Sequence, residues 1–548
     1  TGERKRILIN NIYGVDIDSQ AVEVTKLSLL LKVLEGESDQ TLQTQLFHER
    51  VLPDLGRNIK CGNSLIGPDF YGTTQLDFLD DNDRARINVF DWEKEFPEIM
   101  QAGGFDAVIG NPPYIRMEGF KELKDYLKAR YSCHDERSDL YAYFIERGHK
   151  LLTERGRFGM IVSNKFLRAN YGKPLREFLN ANATIERIVD FAGLPVFSGA
   201  TVRTIILLTQ RGRRQAYQVM YSSPLPTNEF AAVAAGSLAV EQAIAKHAYE
   251  VASNTLGQSV WGFAKEDVGN LLSRLRATCL PLSEYCNGQI GYGIKTGLEE
   301  AFVIDAKTRD EILKRNRKAT EIVKPYLNGR DVRRYYVDFK NIFLIYTHHS
   351  VQIDEYPAVA DYLKPFKQRL QQRATKQEWY ELQQPQFNYA KYFDSPKIVF
   401  PDIAASPRFA LDEVGCYGST TTFFIPKVDL YLLGLLNSRL SHRYFAETCA
   451  ALEGKANRYL RFKRQYVEGF PVRKINFSDS ADKTRHDKIV SLVKSMRALH
   501  KQFAATKTPH EQENLKRQID ATDRQIDKLV YELYGLTEEE IRVVESAA

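Results

Sequence analysis

The spacing of apolar residues changes character twice along this chain, and each change marks a different architecture. Asn11 to Ile17 (NIYGVDI) predicts a short strand ending in acid, and Gln20 to Leu34 (QAVEVTKLSLLLKVL) repeats its apolar positions at helical spacing. Asn58 to Leu65 predicts another short strand and turn, followed by a polar loop to about Arg86. Phe105 to Gly110 (FDAVIG) has the character of a buried strand. Beyond it, Asp139 to Leu152 predicts an amphipathic helix, Arg157 to Ser163 a strand, Pro174 to Leu179 a helix end and Thr184 to Phe191 another strand. Val202 to Thr209 and Tyr217 to Tyr221 close the series. Strands alternating with helices in this way predict a doubly wound α/β domain over residues 1–230.

The stretch from Ala231 to Gln258 is rich in alanine and small polar residues, which places a domain boundary there. After it, short strands predicted at Gly288 to Ile304, Asn341 to Tyr346, Pro396 to Pro401 and Thr420 to Ile425 are separated by loops with glycine, proline and charge. Residues 260–475 therefore read as an α+β domain whose surface loops suit recognition. The pattern changes again at 480–548. Leu515, Ile519, Thr522, Ile526, Leu529 and Leu533 alternate four and three apart, the seam of a coiled coil or helical hairpin. Ile489, Val493, Met496, Leu499 and Phe503 can line the facing helix, with a break at Thr508 and Pro509. Gly535 fits a C-cap, and Thr537 with Glu540 a capping box. The seam can close within the chain or against another subunit.

At 548 residues and 43% hydrophobic content the chain supports several globular domains. No run approaches the roughly 18 apolar residues of a membrane span, and the opening TGERKRILINN lacks the apolar core of a secretory signal, so a cytoplasmic protein without a membrane partner is expected. The six cysteines are scattered without a CxxC pair, which predicts reduced thiols and no metal. A net charge of +6 permits binding to polyanions. Basic clusters stand at Arg211, Arg213 and Arg214, at Lys314 to Lys318, at Arg330, Arg333 and Arg334, and at Arg458, Arg461, Lys463 and Arg464. The last two are interleaved with Tyr335, Tyr336, Tyr459, Phe462 and Tyr466, a mixture of phosphate-neutralising and base-stacking groups that points to a nucleic-acid groove.

The densest chemistry follows FDAVIG: Asn111, Pro112, Pro113, Tyr114. An amine on an aromatic ring is a poor nucleophile because its lone pair is delocalised. Two acceptors, the Asn111 side-chain oxygen and the Pro112 carbonyl, can draw such a nitrogen towards tetrahedral geometry, and Pro113 keeps that carbonyl from turning into a helix. Tyr114 offers a stacking face for a base removed from its stack, worth about 1–3 kcal/mol. The competing reading is a Pro-Pro turn closing a strand, with Tyr114 as packing. Asp16, at a strand end, can accept ribose hydroxyls. Asp18 fits a helix N-cap better than a ligand. Asn63 can contact an adenine edge or simply form its turn.

The order of NIYGVDIDSQAVEVTKLSL, IKCGNSLIG, FDAVIGNPPYIR, SDLYAYFIERGHKLL, LPVFSGATVRTIILL, GIKTGLEEAFVID, PYLNGRDVRRY, PKIVFPDI and IDKLVYELYGL resembles the adenine-N6 DNA methyltransferases of type II and type IIG restriction-modification systems with a Taq-type specificity domain. The resemblance implies a Rossmann-like methyltransferase sheet, present in part, followed by an α+β target-recognition domain and a C-terminal helical hairpin. It implies S-adenosylmethionine as cofactor, with Asp16 on its ribose and Asn63 on its adenine. Asn111, Pro112 and Tyr114 would grip a flipped adenine, and Phe197 would pack on the base's other side. Arg330, Arg333, Arg334, Arg458, Arg461 and Lys463 would meet double-stranded DNA. The family's glycine-containing first motif should precede Asn11 by tens of residues, so the chain, which starts with Thr, reads as a fragment of a longer protein. Three rivals remain. They are methylation of another planar amine (protein glutamine or guanine N2), a recognition subunit whose pocket is completed elsewhere, and a fragment of a bifunctional enzyme whose nuclease lies upstream or in a separate subunit.

Overall fold

The computed structural model describes residues 2–35, 53–73, 84, 86–116, 119–197, 202–257, 261–453 and 458–546. Most of the polar segment expected before Arg86 lies outside them. The chain divides into two compact units, Thr1–Trp261 and Gly262–Ala548.

In the first unit, a helix at Gly2–Asn11 takes up Asn11, so the opening strand, β1, is confined to Gly14–Asp16. It pairs in parallel with β2 (Ile59–Cys61), Asp16 opposite Cys61. Asp18 N-caps the helix Ser19–Leu34 by accepting the Gln20 amide at 2.8 Å. Six further strands, β3 (Phe105–Gly110), β4 (Leu152–Ser163), β5 (Ala183–Asp190), β6 (Thr204–Arg211), β7 (Gln218–Ser222) and β8 (Ala248–Ala252), form one sheet in the order β3-β4-β6-β5-β7-β8. β3 and β4 are parallel, whereas β6 runs antiparallel between β4 and β5. The sheet is therefore mixed α/β.

Two expectations need correction. The alanine-rich stretch belongs to the first unit, which divides from the second just past it, after Trp261: the helices Thr227–Ala234 and Val240–Lys246 lead into β8, which pairs antiparallel with β7. Its small residues allow close packing, as at the fully buried Ala243. Nor is β3 buried throughout. It stands at the sheet edge, and Ile109 is 86% exposed. An irregularity in its pairing between Phe105 and Ala107 turns Phe105 and Val108 to one side. There they meet Phe90, Trp92, Phe96 and Leu151 together with Val15 of β1 and Tyr13 just before it. One apolar layer thus supports both β1 and β3.

The second unit carries two four-stranded sheets and a small three-stranded antiparallel sheet. The helices Ser480–Ala505 and Pro509–Leu533 form the expected hairpin, and the capping box at Thr537 and Glu540 is complete. The hairpin is built into this unit's core. Ile489, Val493 and Ile526 share a buried cluster with Leu432 and Leu435 of the helix Leu430–Leu436. A side chain at Gly434 would come within 2.9 Å of Ile489, so glycine permits that close approach.

A buried ion network fixes a loop to the hairpin. Arg334 donates to the Asp523 carboxylate and, at 2.5 Å, to the Asn437 carbonyl. Asp527 accepts the Arg439 amide at 2.9 Å, and burial pushes its carboxyl up to about 6. His500 stacks on Tyr335 and Tyr336, with ring centroids 5.9 and 5.7 Å apart. Removing one member of such a network leaves a buried charge without compensation. Arg334→Ala is expected to destabilise the second unit by about 3–5 kcal/mol, read as a lower urea midpoint. An unchanged midpoint would show that Asp523 is solvated or neutralised without the arginine.

Candidate active site and nucleic-acid contacts

β3 ends at Gly110, and the chain leaves its carboxyl end as an extended loop because Pro112 and Pro113 cannot enter a helix. The Asn111 side chain is exposed and Pro112 is buried. Among the described residues, neither the Asn111 amide group nor the Pro112 carbonyl takes part in a hydrogen bond. Two acceptors therefore lie one residue apart, unspent. The loop is pinned on its far side, where the Leu140 amide donates to the Ile115 carbonyl at 2.8 Å.

The Tyr114 hydroxyl donates to the Ile161 carbonyl of β4 at 3.1 Å, which anchors the ring to the sheet. Burial pushes the phenol up to about 12, so it stays neutral over the physiological range. Phe197 packs against this ring with centroids 6.0 Å apart and planes at 58°. The two rings stand 83 positions apart in sequence and meet through tertiary structure alone. Their contact is tilted, and a base sandwiched between them would need parallel planes about 7 Å apart, twice a carbon contact distance. The pair is therefore closed, and one ring must turn to admit a base.

The loop that delivers Phe197 is held by Asp190, the last residue of β5. Its carboxylate accepts the Ala192 amide at 2.7 Å and the Tyr221 hydroxyl at 3.1 Å. Ala192 adopts the left-handed conformation at φ 47°, where an alanine needs such support. The expected site omits Asp190 and the Ile161 carbonyl. Nothing in the spacing of TIERIVDF marks Asp190 as a brace, and nothing in the sequence hints at a backbone carbonyl.

Asp16 ends β1, and Asn63 follows the carboxyl end of β2 by two residues. The Gly62 amide donates to the Asp16 carbonyl at 2.8 Å, and a side chain at Gly62 would strike the Phe90 ring at 2.4 Å. Asp16 is exposed, and its Oδ1 accepts the Asp18 amide at 2.8 Å. The Asn63 Oδ1 accepts the Leu65 amide at 3.1 Å, the turn-forming role. No hydrogen bond to another described residue uses the second Asp16 oxygen or the Asn63 amide nitrogen.

The basic residues of the second unit separate into distinct kinds. Arg330 and Lys463 are exposed. Arg333 lies 3.7 Å from Asp338 and is 40% exposed. Arg461 is tied to Asp402 at 2.5 Å. The Arg458 side chain lies outside the described residues. Arg334 departs from its expected role at DNA, because its guanidinium is turned inward onto Asp523 and Asn437. In a run of arginines and tyrosines, composition cannot separate a groove-facing cation from one that braces a fold.

Comparison with known proteins follows the same division. Residues 10–197 match the Eco57I restriction-modification methylase family, and residues 324–472 match the TaqI-like C-terminal specificity domain. The type II restriction enzyme and methyltransferase RM.Eco57I of Escherichia coli is 25% identical, over 97% of this chain and 55% of its own length. The adenine-specific methyltransferase PglX of Streptomyces coelicolor is 24% identical, over 80% of this chain and 39% of its own. The chain thus spans about half or less of these two relatives. Among solved structures, the type IIL restriction-modification enzyme MmeI in complex with DNA superposes with a TM-score of 0.59 at 14% identity, covering 99% of this chain and 73% of that one, a likeness of fold. The chain joins an Eco57I-type restriction-modification methylase domain to a TaqI-like C-terminal specificity domain.

Proposed function

We propose that this chain methylates adenine N6 at a specific sequence in double-stranded DNA, as the modification part of a restriction-modification system, after rotating the base out of the helix. The observation that carries the reading is the pair of unspent acceptors at Asn111 and Pro112 beside the Tyr114 and Phe197 rings. The names of RM.Eco57I and PglX support the class of reaction and the base. A nuclease acting with this chain, in a further domain or a separate subunit, belongs to the same proposal, because RM.Eco57I is named as both restriction enzyme and methyltransferase.

The Asn111 oxygen and the Pro112 carbonyl each accept one N6 hydrogen, which pulls the nitrogen towards tetrahedral geometry and localises its lone pair. Tyr114, fixed by its bond to Ile161, supplies one stacking face, and Phe197 turns to supply the other. Stacking of this kind offsets the few kcal/mol lost when a base leaves its stack. S-adenosylmethionine, when bound, supplies the electrophilic methyl group. The residues at β1 and β2 fit it. The second carboxylate oxygen of Asp16 can accept ribose hydroxyls, and the Asn63 amide nitrogen can donate to an adenine ring nitrogen, since neither is used by another described residue.

Modification-detecting long-read sequencing of DNA from methylation-free cells expressing the chain tests the reading. N6-methyladenine is expected at one recurrent sequence, with Asn111→Ala lowering the rate about 100- to 1,000-fold, the scale for removing one preorganised polar group. Methylation at another base, or an unimpaired Asn111→Ala variant, would overturn it. The Tyr114 ring and hydroxyl can be separated by kinetics. Tyr114→Phe keeps the stacking face and is expected to lose less than about tenfold, the scale of a single hydrogen bond. Tyr114→Ala should lose about 5- to 150-fold with the stack. Equal losses in the two variants would mean that anchoring to Ile161, rather than stacking, is the tyrosine's contribution.

A further inference from the structure

The three-stranded sheet of the second unit presents a partly exposed face. Strand Arg458–Arg461 lies between Ile403–Ala404 and Ala450–Glu453, with Ile403 and Ala450 both opposite Arg461. Side chains alternate across a strand. Leu460 and Ala404 accordingly point into the core at 3% and 2% exposure. Tyr459, Arg461 and Ile403 share the other face, where Ile403 is 48% exposed.

Arg461 is held there by Asp402, whose position is over-determined. The Asp402 amide donates to the Thr421 carbonyl at 2.8 Å, and its carbonyl accepts the Phe462 amide at 2.7 Å. Its Oδ2 accepts one hydrogen bond from Arg461 Nη2 at 2.5 Å, while the arginine side chain stays 34% exposed. Asp402 Oδ1 and Arg461 Nε are buried without a partner among the described residues. A bond made purely to cross-link strands would be expected to close bidentately through Nε and Nη2 onto both oxygens. Here only one nitrogen is engaged, which leaves Nη1 and the second Nη2 hydrogen for another acceptor. The neighbouring loop brings a further cation to the same region. The Gly329 amide donates to Thr421 Oγ1 at 3.1 Å, and Arg330 beside it is exposed.

We propose that the outward face of this sheet is the base-reading surface of the specificity domain, with Arg461, braced by Asp402, donating two hydrogen bonds to O6 and N7 of a guanine in the target sequence. This rests on the sequence-specific DNA binding proposed above. A narrow antiparallel ribbon fits the major groove, where guanine presents two acceptors matched to a guanidinium and thymine presents a methyl group suited to an exposed apolar residue such as Ile403. Bracing matters because a free arginine loses side-chain entropy on docking, whereas one held by Asp402 has lost much of it already.

The test is selection of duplexes from a random library by the full chain, with Arg461→Ala, Arg461→Gln and Asp402→Asn compared with the unaltered protein. The selection reads binding alone, so it does not depend on methylation. The unaltered chain is expected to select a motif with an invariant guanine whose preference falls about tenfold or more in Arg461→Ala while the other positions persist. Arg461→Gln should move that position towards adenine, whose N6 and N7 suit a glutamine amide. Asp402→Asn should weaken the same position only. A motif unchanged in Arg461→Gln, or affinity lost evenly over all sequences, would overturn the inference and mark Arg461 as a phosphate contact or a strand tie. If Arg461→Ala fails to fold, the shift in Arg461→Gln decides. An unaltered chain that selects no motif would overturn the recognition reading itself, and this inference with it.

Discussion

Two consecutive prolines at the carboxyl end of β3 deny the chain a helix where strands of this kind of domain commonly lead into one, and the proposed catalytic loop follows from that constraint. A helix starting at Asn111 would draw the Asn111 and Pro112 carbonyls into its own hydrogen bonds. The extended path leaves the Asn111 side chain and the Pro112 carbonyl unspent, and carries Tyr114 far enough for its hydroxyl to reach Ile161 on the next strand. The parallel pairing of β3 with β4 sets the register of that reach, with Ile109 opposite Gly159 and Gly110 opposite Met160. The second ring arrives by another route, on a loop whose strained Ala192 is compensated by the Asp190 carboxylate.

The same logic divides the cations of the second unit. An arginine serves the fold when its guanidinium is turned onto partners within its own unit, as Arg334 is onto Asp523 and Asn437. It is available to a ligand when a carboxylate fixes its position without exhausting its donors, as Asp402 does for Arg461. Placing both kinds in one unit gives a rigid platform with polar groups already oriented. Preorganisation of that sort lowers the entropy lost on binding.

Legibility in the sequence tracked how local each feature is. Asn111 to Tyr114 could be read directly because proline acts on its own backbone, and Asp18 because an N-cap is decided within two residues. The hairpin of the last helices was visible because its period persists over many turns. What escaped depends on pairing at a distance. Ile109 looks like a core residue until β3 proves to be an edge strand among the described residues, with Ile109 exposed. β8 hid in an alanine-rich stretch because small residues serve tight packing as well as linkers. The meeting of Tyr114 with Phe197 entered only through family resemblance, and Asp190 not at all, since a carboxylate that braces a loop has no spacing signature.

Extrusion of the target adenine is the step on which the proposed chemistry turns. With the methylated sequence in hand, its affinity for duplexes carrying the target adenine opposite thymine or opposite an abasic site tests that step most directly. Removing the partner base lowers the free energy needed to unstack and unpair the adenine by a few kcal/mol. The expected result is binding at least about tenfold tighter to the abasic duplex, with the gain reduced in Tyr114→Ala. Equal affinity for the two duplexes would contradict a mechanism in which Asn111, Pro112 and Tyr114 receive an adenine taken out of the helix.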